Sequence, residues 1–216
     1  MNLPMPRPIA VPLLCGLCLG VQLITHPNLR LPLPLGAEDL FITDWLKDHL
    51  PLKANAVQIG ELWRTFTYIF LHGSWWHLAL NLFGLWITGN TLEALLGWRK
   101  TFLLLLTGAT AGAAGFFLSI LLDPRLSPYT TCIGASALLT ACIGAVIALA
   151  PQERITLWIT ALPLRLKAVW LLPLMLLFFI TECFLPQLST AYGAHLGGWL
   201  AGLLCGFLLR EPHRNS

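Results

Sequence analysis

The chain reads as an all-α membrane protein, a bundle of six apolar helices with both termini cytoplasmic. Three observations lead there. Of 216 residues, 56% are apolar and only 11% are charged, against about 25% charged in a soluble domain. Mean hydropathy is +0.73. The apolar residues gather into runs that match a bilayer crossing, at roughly 20 residues per span. So little polar surface cannot solubilise a globule, and high hydrophobicity with a net charge of +3 excludes disorder. The basic residues are few and scattered, which argues against nucleic-acid binding.

The expected spans, in order, are 9–25, 72–96, 101–122, 130–150, 168–185 and 192–209, within a single domain covering 1–216. The first has an Arg upstream and an apolar core like a cleavable signal, but no small-x-small site follows. Its prolines Pro8 and Pro12 suit a helix start. Loop 26–71 opens on a Pro-rich run. It continues into a short amphipathic helix near 41–48 that Thr43 or Asp44 would cap. Trp45, Trp63, Trp75 and Trp76 fit an interfacial aromatic belt. In span 6, Gly198, Gly202 and Gly206 recur every fourth residue, and span 3 carries Gly108 and Gly112. Such small-residue faces let helices approach closely in lipid. The six cysteines all lie in apolar stretches and read as small buried hydrophobes.

Charge orients the bundle. Arg7, Arg99, Lys100, Arg154, Arg165, Lys167, Arg210 and Arg214 fall on one side. Arg30, Lys47, Lys53, Arg64 and Arg125 fall on the other, with most of the acids. By the positive-inside rule the first side is cytoplasmic and loop 26–71 faces outward.

Polar residues inside spans are functional-site hypotheses by default. Here they are His77, Asn81 and Glu93 in span 2, Glu182 in span 5 and His195 in span 6, together with Ser136 near the start of span 4. His77 and Asn81 are four apart and share a helix face. His77, Asn81, Ser136 and His195 start from one membrane face, with Ser136 six residues, about 9 Å, into its span. A serine hydroxyl becomes a nucleophile when a base within hydrogen-bond reach takes its proton, and histidine suits that task. Asn and His side chains with the serine N–H can serve the oxyanion. Glu93 lies at the far end of span 2. Glu182 is nearer the outer face, but on another helix and unassigned. The expected chemistry is therefore a Ser136–His195 dyad.

These residues resemble the rhomboid intramembrane serine proteases. Glu61-Leu62-Trp63-Arg64 looks like the Trp-Arg motif of the rhomboid first loop. His77-Leu78-Ala79-Leu80-Asn81 matches His-x-x-x-Asn, and Gly89, Glu93 and Gly97 match Gly-x3-Glu-x3-Gly. Gly134-Ala135-Ser136 fits the start of Gly-x-Ser-Gly. Ala194-His195-Leu196-Gly197-Gly198 with Gly202 fits the motif of the last span. The likeness runs from about Glu61 to Arg210.

The resemblance implies Ser136 as nucleophile and His195 as general base, with His77, Asn81 and the Ser136 N–H as oxyanion hole. It implies that Gly198 and Gly202 pack span 6 on span 4, that Trp63 and Arg64 shape the outer loop, and that span 5 and the cap over the site gate substrate. The substrates would be single-pass membrane proteins, cut in or beside the membrane, with no metal and no cofactor. Two positions depart from the pattern. Ala137 stands where the family has Gly, adding a methyl beside the site. Thr140 stands where many relatives carry an aromatic that stacks on the histidine. The rival readings are a rhomboid-like protein that binds transmembrane segments without cutting them, and a small transporter. A chain without an added soluble domain points to a bacterial plasma membrane.

Overall fold

The structure is a computed structural model and describes residues 8–25, 42–159, 162–184 and 191–210. Expectations for Arg7, Arg30, Glu38, Asp39, Arg214 and the Pro-rich run lie outside those residues, as does the end of span 5 beyond Phe184. Among the described residues the chain is a helix bundle. The helices are α1 (Ala10–Ile24), α2 (Ile42–His49), α3 (Ala54–Gln58), α4 (Arg64–Thr67), α5 (Trp75–Leu96), α6 (Trp98–Leu122), α7 (Ser136–Leu149), α8 (Leu171–Phe184) and α9 (Tyr192–Leu209). Strands β1 (Leu52–Lys53) and β2 (Thr131–Cys132) pair antiparallel, as do β3 (Arg154–Ile159) and β4 (Leu162–Lys167). Two helices, α6 and α9, are long and apolar enough to cross a membrane by length and composition; α1, α7 and 168–184 are shorter apolar helices.

The expected fourth span changes most. Its first six residues are not helical. They form β2 and a turn, and Ser136 opens α7. β2 is tied to the outer loop by the register Leu52↔Cys132 and Lys53↔Thr131, and the Asn55 N–H donates to the Pro128 carbonyl at 3.1 Å. An extended segment here trades helix length for a loop that presents a backbone turn beside Ser136. Span 3 starts earlier than expected, at Trp98. Gly97, at φ +77°, ends α5 and lets α6 begin at once. Span 5 opens as a 3₁₀ turn, Ala168–Trp170, ahead of α8. Thr43 and Asp44 lie inside α2 rather than capping it, and the Thr43 hydroxyl donates to the Ile24 carbonyl at the end of α1.

Helix α7 is central, packed on α5, α6 and α9. Its Ala137, Leu138, Ala141, Cys142, Ala145 and Val146 are all buried. The glycine ladder does what its spacing predicts. A Cβ on Gly198 would overlap the Ala137 carbonyl oxygen, and one on Gly202 would overlap that of Ala141. Without side chains at those points the backbones of α7 and α9 touch, which is how helices gain packing energy in lipid. Helix α8 stands at the side of this core. It is held through its own small cluster of Met175, Phe179 and the α9 residue Trp199.

Candidate active site

Four helices, α5, α7, α8 and α9, bring the site together. Ser136 is the first residue of α7, and His195 sits in the first turn of α9. The α7–α9 backbone contact closes the distance: Ser136 Oγ and His195 Nε2 are 2.7 Å apart, a normal hydrogen bond for this pair. They lie 59 positions apart in the chain, and the close α7–α9 approach at Gly144, Gly198, Gly202 and Gly206 is what brings them together.

The other imidazole nitrogen is also bonded. His195 Nδ1 lies 2.8 and 2.9 Å from the two carboxyl oxygens of Glu182, on the last turn of α8. Both residues are buried, Glu182 at 4% and His195 at 8% exposure. This changes the reading of a dyad with Glu182 unassigned: the geometry is Ser136–His195–Glu182. An ionised carboxylate can only accept, so this contact favours the tautomer with the proton on Nδ1. Nε2 then keeps its lone pair for the serine O–H. A Phe178 ring, one helical turn before Glu182, lies 5.5 Å from the imidazole centroid. Thr140 meets the histidine through its main chain, donating to the His195 carbonyl at 2.9 Å.

The opposite wall comes from α5 and the turn before α7. Gly134 has φ +107°, a region that side chains with a Cβ rarely enter. A Cβ there would lie 2.6 Å from His77 Nε2 and 3.7 Å from Asn81 Nδ2. His77 and Asn81 therefore face the backbone that leads into Ser136. Asn81 is buried, and its Nδ2 donates to the His77 carbonyl at 2.9 Å. Ser74 caps α5, accepting from the His77 N–H at 3.1 Å.

His72 was passed over in the sequence and belongs here. Its Nε2 accepts from the Ala135 N–H at 3.3 Å, and its Nδ1 lies 3.3 Å from the Phe70 carbonyl. The ring packs edge-on to His77 at 5.0 Å. It anchors the Gly134-Ala135 turn from below. No local pattern marks it, because the Ala135 N–H it accepts from lies 63 positions away in the chain.

The remaining motif residues are structural by contact. Arg64 is 3% exposed. Its guanidinium donates to the Pro51 carbonyl at 3.0 Å, to the Asp48 carbonyl and to the Glu61 carboxylate. Trp63 donates to the His49 carbonyl at 3.3 Å. Together they staple the end of α2 to α4. Glu93, far from Ser136 as expected, accepts from the Ile9 and Val11 N–H groups at 2.6 and 2.8 Å. It thus caps α1 from another helix. Among the described residues no group of three or more His, Cys, Asp or Glu is arranged to hold a metal ion.

A model of the Rhomboid domain matches residues 59–212, which takes in each residue of the site. The chain belongs to the rhomboid family. As a rhomboid it is an integral membrane protein. It is 32% identical over 158 residues to RHOMBOID-like protein 5 of Arabidopsis thaliana, covering 73% of this chain and 47% of the relative. It is 32% identical over 143 residues to Rhomboid protein 1, mitochondrial, of Saccharomyces cerevisiae, covering 66% and 40%. It is 30% identical over 172 residues to Rhomboid protease GlpG of Yersinia pestis, covering 78% and 54%. This rhomboid thus spans about half the length of the curated relatives it matches. Some of those relatives are named proteases, and others are named only as rhomboid-like.

Proposed function

We propose that this rhomboid is an intramembrane serine endopeptidase that cuts single-pass membrane proteins in or beside the bilayer. The observation that carries the reading is the 2.7 Å contact between Ser136 Oγ and His195 Nε2. In the acylation step Ser136 Oγ attacks the scissile carbonyl carbon and its proton passes to Nε2. The tetrahedral oxyanion collects donors from His77, Asn81 and the Ser136 N–H. Nε2 then returns the proton to the leaving amine, and water repeats the sequence to release the acyl group. Roles, substrate class and the six-span arrangement with both termini cytoplasmic are parts of this reading. A bacterial plasma membrane is the proposed location.

Deacylation needs a water at the acyl-serine, so a water path to Ser136 is part of this reading. A surface pocket of about 430 Å³ opens between Asp123, Arg125, Cys183 and Tyr192. Cys183 follows Glu182 directly, and Tyr192 is one turn from His195. The protein needs no cofactor in this mechanism, because nucleophile, base and oxyanion donors are all side-chain or backbone groups.

The test is labelling of purified protein in detergent with a fluorophosphonate. An O–P bond forms to Ser136, P–F breaks and the serine proton goes to His195. Labelling of the wild type that disappears in Ser136→Ala and His195→Ala supports the reading. A folded wild type that does not label overturns it in favour of a protein that binds transmembrane segments without cleaving them.

A further inference from the structure

We infer that Glu182 and Phe178 of α8 are positioning residues that act through His195, so that the serine is activated only while α8 is seated against α9. The inference rests on the proposed reading of Ser136 and His195. The two residues are four apart and so share one helix face. They meet the imidazole on two sides: the Glu182 carboxylate spans Nδ1 with both oxygens within 2.9 Å, and the Phe178 ring lies 5.5 Å away, tilted at 42°.

The other helices leave this task to α8. On α7, the Thr140 hydroxyl is spent on the main-chain carbonyls of Ala137 and His195, at 3.1 and 2.9 Å. It holds the α9 backbone and leaves the ring alone. The described hydrogen bonds of the imidazole are therefore to Ser136 on one nitrogen and to Glu182 on the other. A histidine with a free Nδ1 populates both tautomers, and the Nε2–H tautomer cannot take the serine proton. The carboxylate selects the reactive tautomer. It also stabilises the imidazolium that forms as Ser136 attacks.

Burial makes the pairing consequential. A carboxylate in apolar surroundings is costly unless paired, and Glu182 is 4% exposed on a helix otherwise composed of Leu, Phe, Pro, Met, Ile, Thr and Cys. His195 is its described partner. An outward shift of α8 would break both contacts at once and leave Ser136 beside a histidine of unfixed tautomer.

The experiment compares wild type with Glu182→Gln, Glu182→Asp and Phe178→Leu. Two readouts are used: fluorophosphonate labelling rate per folded protein, and ¹⁵N shifts of selectively ¹⁵N-histidine-labelled protein, with His195 assigned by difference from His195→Ala. In wild type, His195 shows Nδ1 protonated and Nε2 unprotonated. Glu182→Gln loses that signature and labels more slowly by on the order of 10²–10⁴-fold, the scale of an acid-to-amide change behind a catalytic histidine. It does so while its melting temperature stays near wild type. Glu182→Asp keeps the charge and recovers part of the rate. Phe178→Leu slows labelling by a smaller factor.

Wild-type labelling with an unchanged rate and unchanged His195 tautomer in Glu182→Gln overturns the inference and leaves the protease reading standing. So does a loss of rate that only follows a loss of folded protein. The tautomer measurement decides the role of Glu182 even if wild type does not label, which is the outcome that overturns the protease reading.

Discussion

The Cβ of Ala137 on α7 packs against the bare Cα of Gly112 on α6. A methyl built on Gly112 would lie 2.6 Å from the Ala137 Cβ and 2.6 Å from the Tyr68 hydroxyl. The methyl that departs from the family pattern is therefore housed by α6, where Ala137 is 1% exposed, and not in the space around Ser136. Ala137→Gly should leave the labelling rate of folded protein unchanged and destabilise α7 by about 1 kcal/mol, the helix cost of glycine relative to alanine. Gly112→Ala should destabilise by roughly 1–3 kcal/mol through overpacking. Thermal unfolding in detergent, read beside probe labelling, checks both. A faster-labelling Ala137→Gly would place the methyl in the site after all.

Gly134 is the most constrained backbone position next to the serine. Its φ of +107° and the 2.6 Å approach of His77 Nε2 to an added Cβ act together. Gly134→Ala must twist the turn that delivers the Ser136 N–H or push His77 off its wall. Either removes at least one oxyanion donor, typically about 10²–10³ in rate. Labelling should fall by that order while the Ser136–His195 pair stays in place. Wild-type labelling in Gly134→Ala would show that the turn does not shape the oxyanion hole.

The contact between Ser136 and His195 was legible in the sequence because depth and glycine spacing are one-dimensional properties. Ser136 and His195 each lie near the start of an apolar run, and Gly198 and Gly202 announce a close helix contact. Glu182 was not legible in the same way. Whether its carboxylate meets the histidine depends on how α8 rotates and leans, and the uniformly apolar α8 gives no face that would fix its rotation. A clue was available nonetheless: Glu182 ends α8 and His195 begins α9, so consecutive antiparallel helices put both at one depth. The start of span 4 was misread for a related reason. Residues 130–135, Thr-Thr-Cys-Ile-Gly-Ala, were absorbed into the apolar run that follows them despite their β-branched residues and glycine, and the pairing of Thr131 and Cys132 with Lys53 and Leu52 is a long-range contact that no local period records.

Asn81 donates to the His77 carbonyl in the resting state, so its amide is preorganised beside His77 and Gly134. Under the proposed mechanism it must turn one N–H to the oxyanion, sharing that duty with His77 and the Ser136 N–H. Asn81→Ala should lower kcat on a transmembrane peptide substrate by up to about 10²-fold, the low end for one donor, with KM little changed. His77→Ala combined with Asn81→Ala should fall much further. A raised KM with kcat intact would assign Asn81 to substrate binding instead.

Glu93 holds the bundle together at the end opposite the serine. Its carboxylate accepts from the Ile9 and Val11 N–H groups, two of the donors that an α-helix start leaves unpaired. The negative charge also complements the positive end of the α1 dipole. Next to it, a Cβ on Gly89 would lie 2.6 Å from a Val11 methyl, so α1 sits close on α5 at this point. Glu93→Ala leaves two N–H groups without their acceptor, that of Val11 buried, and the cost should be roughly 1–3 kcal/mol. Glu93→Gln keeps an acceptor oxygen and should lose less, mainly the charge–dipole part of about 0.3–1 kcal/mol. Cys18, fully buried on α1 with its thiol directed at the Ile69 carbonyl at 3.7 Å, reports the result. A thiol-reactive dye should label Cys18 at lower temperature in Glu93→Ala than in wild type, with Glu93→Gln between them, when the other cysteines are replaced by Ser or Ala. Because Glu93 touches none of the site residues, fluorophosphonate labelling below the melting transition should match wild type. Equal melting of all three proteins would mean that the cap contributes nothing to holding α1 on the bundle.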